Sequence, residues 1–320
     1  MNDTWSLSSI WNQVRDIDHT REYEPRDYIW ASELSGSYYD RYWKMHGRTP
    51  TTPPNLRSQR KFDSGNLTEW VVKQMLIKAH IYIEGQTYIV NEEGAMKVTG
   101  KSDHIAGGTI QPVVLEDLPE VLGEVSEATI AKLSEKYPKG LAKQGLEIKS
   151  ISAFAFNSVE KAPFLNHALQ AFHYAYNTQM PFHLIYVCKD DLRMVEWVIE
   201  PNNEKWKKLY FNDIEYMARV YAVDGVRIDS FKEPLLLFED GKFKKNLKVE
   251  YSSYLTDYGF DRPDLYSDGA KVATRLNNVV KSIKAGKKLS KLNIEAMELG
   301  KKFYAPAIDI INDLIEEEEE

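Results

Sequence analysis

Within Leu146-Glu147-Ile148-Lys149-Ser150 a carboxylate and an ammonium stand two residues apart in an otherwise apolar strand pattern. Side chains alternate along a strand, so Glu147 and Lys149 share one face and Ile148 points to the other. Alone, such a pair reads as an edge strand with a surface ion pair. Upstream, Gly100-Lys101-Ser102-Asp103-His104-Ile105 places Asp103 at the end of a second strand. An Asp on one strand and a Glu on its neighbour suit a hard cation bound through oxygen. Lys149 then stands ready to polarise a phosphate or position an attacking water. This kit suits metal-assisted hydrolysis of a phosphodiester, where the metal lowers the pKa of bound water and neutralises phosphate charge.

Two helices bring further groups. Gly65-Asn66-Leu67-Thr68-Glu69 opens a largely apolar helix that continues through Trp70-Val71-Val72 towards His80. The eleven residues from Glu69 to His80 span roughly 16 Å along a helix, so both cannot reach one metal centre. Glu69 is the better oxygen donor for magnesium. A second helix opens at Pro163, since proline suits the first turn. Leu165, Ala168, Leu169, Phe172 and Tyr176 form its apolar stripe, and Gln170 and Tyr174 share another face with His167 beside them. Taken alone, that polar stripe reads as solvated.

Elements must hold these residues together. Ser32–Met45, Gly65–His80, Pro163–Thr178, Asn203–Val223, Ser267–Ala285 and Ser290–Leu314 read as helices. Gln86–Val90, Ala95–Ile105, Gly145–Ser152, Phe182–Cys188 and Arg193–Ile199 read as strands, with Asn91-Glu92-Glu93-Gly94 as a hairpin turn. The stretch 111–145 is a polar excursion, helical around Glu127–Lys136. The order predicts an α/β chain, an α+β mixed sheet with helices on its faces. The expected division is an aromatic, helical arm over 1–60, a core over 61–200, and a mainly helical extension over 201–320 with an acidic tail.

Composition narrows the classes. The 320 residues are 43% hydrophobic and 28% charged, a globular profile. One cysteine, Cys188, excludes a disulfide scaffold, a cysteine-type zinc site and an iron–sulfur cluster; within its apolar strand it reads as a buried, inert thiol. No apolar run approaches the ~18 residues of a membrane span. The start, Met1-Asn2-Asp3-Thr4-Trp5, shows no secretory signal, so the expected location is cytoplasmic. The net charge of −7 argues on its face against a nucleic-acid binder, but Glu316–Glu320 supplies five of those negatives. Basic residues cluster instead at Arg57, Arg60 and Lys61, at Lys242–Lys248 and at Lys281–Lys291, where contact with nucleic acid is one reading and a solvated face the other. Gly94–Ser102 nearly spells a P-loop, but it has one residue too many between its glycines and lies in a strand. His104, His167 and His173 lack the spacing of a zinc motif.

Together, Gly65-x-x-x-Glu69, Asp103, Glu147-x-Lys149 and Gln170-x-x-x-Tyr174 resemble the four motifs of the PD-(D/E)XK nuclease superfamily, and its RecB-type and phage-exonuclease branches in particular. The resemblance covers about residues 61–200. It implies a restriction-endonuclease-like αβββαβ core with helical N- and C-terminal extensions. It implies Mg²⁺ or Mn²⁺ on Asp103, Glu147 and the backbone carbonyl of Ile148, with Lys149 assisting the nucleophile and Glu69 completing the catalytic set. Gln170, Tyr174 and His167 would shape the site and contact the nucleic-acid strand, with Arg57, Arg60 and Lys61 as further contacts. The implied partner is DNA, single-stranded or at duplex ends, cleaved by an exonuclease rather than an endonuclease. The implied setting is replication, recombination or repair, in a host cytoplasm if phage-encoded, with any helicase or recombination protein a separate chain and no membrane. The alternative is a catalytically silent module that binds nucleic acid or a partner. Two departures stand out: the long 111–145 insertion, where Glu116, Asp117 or Glu124 is an alternative second carboxylate, and the absence of cluster cysteines. Tyr251–Phe260 is the candidate for pinning the ends instead.

Overall fold

A computed structural model describes residues 6, 23–53, 56–108, 126–250, 252–259 and 269–319. Along the chain run strand β1 (Tyr28–Trp30), helices α1 (Tyr38–Met45) and α2 (Leu56–Lys78), strands β2 (Tyr82–Asn91) and β3 (Lys97–Gly108), and helix α3 (Glu127–Lys136). Strand β4 (Leu141–Ile151), helices α4 (Ala153–Val159) and α5 (Leu165–Thr178), strands β5 (Phe182–Cys188) and β6 (Met194–Ile199), and helix α6 (Glu204–Tyr221) follow. The remainder holds a hairpin of β7 (Leu236–Glu239) and β8 (Lys242–Lys245), one helical turn α7 (Leu247–Glu250), and helices α8 (Ala270–Ile283), α9 (Lys291–Phe303) and α10 (Ala307–Glu319). The chain is an α/β protein with a mixed sheet. The expected αβββαβ order appears as α2-β2-β3-β4-α5-β5, with β1, α4 and β6 added.

The main sheet has six strands in the order β1-β3-β4-β5-β6, with β2 also paired to β3. Pairs β1–β3 and β4–β5 are parallel, and the other three are antiparallel. One edge of β3 is taken by β2 over most of its length. The other edge is shared: β1 pairs at Lys97–Thr99, and β4 pairs from His104 onward. Residues 100–103 therefore face an opening in the sheet.

Several expectations are corrected. Asp103 does not end its strand, because pairing with β2 and β4 carries β3 on to Gly108. Glu69 lies well inside α2, which starts at Leu56 rather than Gly65. Ser32–Met45 is not one helix: a single 3₁₀ turn, Ala31–Glu33, precedes α1, whose N-cap is Ser37, its side chain accepting from the Asp40 N–H. Ser290–Leu314 is interrupted after Phe303, because Pro306 offers no N–H and disfavours helix in the residue before it. Of the 111–145 insertion, residues 111–125 lie outside the described residues, Glu116, Asp117 and Glu124 among them.

The expected boundaries also shift. Of the described residues, 26–35 and 56–219 form one compact unit, while 23–25, 36–53 and 220–319 form another. Most of α6 thus belongs with the sheet, tied by Tyr210, whose Oη lies 2.8 Å from His173 Nδ1. In the second unit, Asp40 of α1 accepts from Ser252 Oγ at 2.6 Å and from the Ser253 N–H at 2.7 Å. Arg48 and Tyr39 both reach Asp257, and Tyr254 Oη donates to the Arg48 carbonyl. These bonds run from 252–258, inside the segment expected to pin the ends; Tyr251 and Phe260 themselves lie outside the described residues. That unit's core gathers Leu235, Leu236, Phe243, Val272, Leu276, Val279, Phe303 and Ile311. No helix among the described residues is long and apolar enough to cross a membrane.

Gly145 leads β4 into the residues of interest. The fully buried ring of Phe182 lies over it, and a Cβ there would meet ring carbons at 2.1 Å. Gly145→Ala is expected to cost about 1–3 kcal/mol by overpacking. Chemical denaturation reads this directly; an unchanged midpoint contradicts the close packing.

Candidate active site

The ladder between β3 and β4 stops at His104 and Leu146, one position short of Asp103 and Glu147. Beyond that point the N–H of Ile148 has no strand partner on the β3 side. It donates instead to Asp103 Oδ2 at 2.7 Å. A buried N–H left unpaired is costly, so Asp103 holds β4 where the backbone ladder fails. On the far side β4 stays paired with β5 as far as Ile151 and Cys188. The Glu147–Lys149 pair is therefore in a central strand, not on the edge strand that a surface pair would need. Glu147 is 1% exposed, and its Oε1 lies 2.6 Å from Lys149 Nζ. Ile148 packs against Val72 of α2 and Val187 of β5.

Helix α5 closes the opening in β3. Tyr174 is buried, and its Oη donates to the Lys101 carbonyl at 2.9 Å. Gln170 Nε2 donates in turn to Tyr174 Oη at 3.2 Å. Gly100 makes room, because a Cβ there would sit 2.8 Å from both Tyr174 Oη and Ala31 Cβ. The stripe expected to be solvated is thus buried against the sheet. His167, on the same helix, places Nδ1 3.1 Å from Tyr186 Oη.

Glu69 of α2 accepts from Gln86 Nε2 at 2.9 Å, and its Oε1 lies 3.9 Å from His104 Nε2. His104 is buried, and among the described residues neither ring nitrogen has a hydrogen-bond partner. Sequence alone missed the roles of His104, Gln86 and Tyr186. Only the strand register could have found them, because each is distant in the chain from the group it meets.

The electrostatics follow from burial. Desolvation pushes the Asp103 carboxyl well above its ordinary range, and the charges of Glu147 and Glu69 push further, against Lys149 and the Ile148 N–H. Burial raises Glu147 too, opposed by Lys149. For Lys149, burial favours the neutral amine, but the attraction of Glu147 and Asp103 outweighs it, and the ammonium is held. Burial, with Glu147 nearby, raises the Tyr174 phenol and keeps it a donor.

Among the described residues, no group of three or more His, Cys, Asp and Glu side chains is placed to hold a metal ion. Magnesium does not require one: it binds one or two carboxylates and keeps waters or substrate oxygens for the rest. Glu147 Oε2 is buried with no hydrogen-bond partner among the described residues, an acceptor that a cation would satisfy. The hard oxygens of Asp103, Glu147 and the Ile148 carbonyl fit that ion in kind.

The other expected residues are placed as follows. His173 is buried away from the carboxylates, between Tyr210 Oη and the Ile89 carbonyl. Arg60 and Lys61 are exposed on α2, roughly 12–14 Å along its axis from Glu69. The side chain of Arg57 lies outside the described residues. Cys188 is a buried free thiol. Lys101 and Ser102 lie within β3, which rules out the P-loop geometry.

No protein-family model matches the sequence, and no curated protein does. Among solved structures the chain is similar to one described as SSO0001, at 14% identity over 66% of this chain and 87% of that one, with a TM-score of 0.39. It is also similar to an alkaline exonuclease from Laribacter hongkongensis, at 11% identity over 69% and 95%, with a TM-score of 0.40. Both likenesses are distant.

Asp103 gives a test of the site's electrostatics. Its folded-state pKa is raised, so its contribution to stability is full below the unfolded value and is lost as pH rises through the folded one. Asp103→Asn keeps an acceptor for the Ile148 N–H and removes the charge. In EDTA it should raise the melting temperature near pH 8, with the gain shrinking towards pH 4. A variant less stable than the parent at pH 8 contradicts this account.

Proposed function

We propose that this protein is a metal-dependent nuclease of the PD-(D/E)XK type that hydrolyses phosphodiester bonds in DNA. The observation that carries the reading is the meeting of Asp103, Glu147 and Lys149 at the point where β3 and β4 part, beside an unpartnered Glu147 oxygen. In this reading Asp103, Glu147 and the Ile148 carbonyl hold Mg²⁺ or Mn²⁺. The bound cation supplies a lowered pKa for a coordinated water and neutralises charge on the scissile phosphate.

The chain's own groups do the rest. Lys149 is held charged by its neighbours, so it donates to a non-bridging phosphate oxygen or orients the attacking water. Glu69, one helix away and fixed by Gln86, adds negative charge at the cation side of the site. Tyr174 and Gln170 hold the unpaired edge of β3 and so fix Asp103. The choice of DNA, of strand ends and of a role in replication, recombination or repair follows from the motif resemblance. A catalytically silent binding module is the second reading. The complete set of Asp103, Glu147 and Lys149 argues against it, since a silent module has no use for buried charges that cost stability.

End-labelled single- and double-stranded DNA, with a circular control, should be degraded in Mg²⁺ or Mn²⁺ and not in EDTA, with the circle spared. Lys149→Ala should lose at least about 10²-fold in rate, and Asp103→Ala should lose cleavage. Full activity in both variants overturns the site, and binding without cleavage supports the silent module. A readout independent of turnover is thermal stability: Mg²⁺ should raise the melting temperature of the parent and not of Asp103→Asn.

A further inference from the structure

We infer that His167 is a neutral hydrogen-bond donor to the substrate phosphate, with its Nε2–H tautomer locked by Tyr186. The inference rests on the nuclease reading above and adds a phosphate contact to it.

The chemistry follows from three hydrogen-bonding groups. Tyr186 of β5 is paired in register with Lys149 of β4, so the two residues are neighbours across the sheet. Tyr186 is fully buried, and its Oη accepts the backbone N–H of Phe164 at 3.0 Å. Phe164 is the N-cap of α5 and has no side-chain cap, so this N–H is one of the helix's free donors. An N–H only donates, which makes Tyr186 Oη the acceptor there. The phenol's own hydrogen then needs an acceptor, and His167 Nδ1, at 3.1 Å, is the acceptor within reach among the described residues. A ring nitrogen that accepts carries no proton, so the proton of the neutral imidazole is on Nε2.

The ring stays neutral for a separate reason. Burial pushes its pKa down, and the nearby charge of Lys149 pushes further, to about 3. A second cation beside Lys149 would be repelled; a neutral N–H is not. Among the described residues Nε2 has no hydrogen-bond partner, whereas Nδ1 has one. A phosphate oxygen held by Lys149 offers an acceptor that needs only an N–H donor. His167 thus adds a directed hydrogen bond to the lysine's charge at the same side of the site, and the bond survives across the neutral pH range.

Two measurements test this. Long-range ¹⁵N–¹H correlation spectra of ¹⁵N-histidine-labelled protein should show His167 as the neutral Nε2–H tautomer, and Tyr186→Phe should admit the Nδ1–H form. For cleavage of labelled DNA in Mg²⁺, His167→Ala should lower kcat/KM by about 10²-fold. His167→Gln, whose amide N–H lies near the position of Nε2, should recover most of that loss. An Nδ1–H or charged ring overturns the inference. So does an Ala variant as fast as the parent, or a Gln variant no better than Ala. If the parent cleaves with neither Mg²⁺ nor Mn²⁺, the nuclease reading fails and takes the phosphate contact with it, and the spectra then decide the tautomer alone.

Discussion

Two carboxylates and one ammonium, the buried Glu147 and the partly buried Asp103 and Lys149, meet where a sheet stops pairing, and the architecture of the first unit is built around that fact. Buried charges are costly unless paired and hydrogen-bonded. Here one ammonium serves two carboxylates, so the pairing is incomplete and both acids are pushed above their ordinary range. The fold keeps this arrangement because Asp103 also does backbone work, taking the Ile148 N–H that the β3–β4 ladder leaves over. On the proposed reading, a bound cation would offset the negative charge that the single ammonium leaves uncompensated.

The scaffold offsets that cost with rigid surroundings. β4 lies between β3 and β5, so Glu147 cannot turn outward without breaking a central strand. α5 lays a buried polar row over the sheet, and each member bonds to a fixed partner: Gln170 to Tyr174, Tyr174 to the Lys101 carbonyl, His173 to Tyr210, and His167 to Tyr186. Gly100 and Gly145 let aromatic side chains approach the strand backbone where a Cβ would keep them out. Such networks specify one arrangement when every member is satisfied. Among the described residues, Glu147 Oε2 and both nitrogens of His104 are buried polar atoms without a hydrogen-bond partner that lie in or beside the site, and others lie elsewhere in the chain.

The overall charge of −7 is compatible with a polyanionic substrate once it is read locally. Five negatives are the terminal Glu316–Glu320 run. Some surface lysines are already paired, as Lys244 is with Asp240 and Glu239, and such exposed pairs contribute little to stability. On the proposed reading, contact with DNA would rest on local charge and be strongly salt-dependent.

Short local patterns determined much of this on their own. Strand alternation put Glu147 and Lys149 on one side of β4, helical spacing put Gln170 beside Tyr174, and the element order specified an α/β chain with a mixed sheet, because these are properties of neighbours in the chain. Element ends were less legible: α1 begins at Tyr38 rather than Ser32, and β3 runs past Asp103, because tertiary hydrogen bonds set those limits. Only the folded structure decided what depends on register between distant segments. It turned an apparent surface ion pair into a buried one, turned a solvated polar stripe into a lining, joined His167 to Tyr186, and carried α6 into the sheet's unit. Burial and long-range pairing are sums over the whole chain, and no window of sequence contains them.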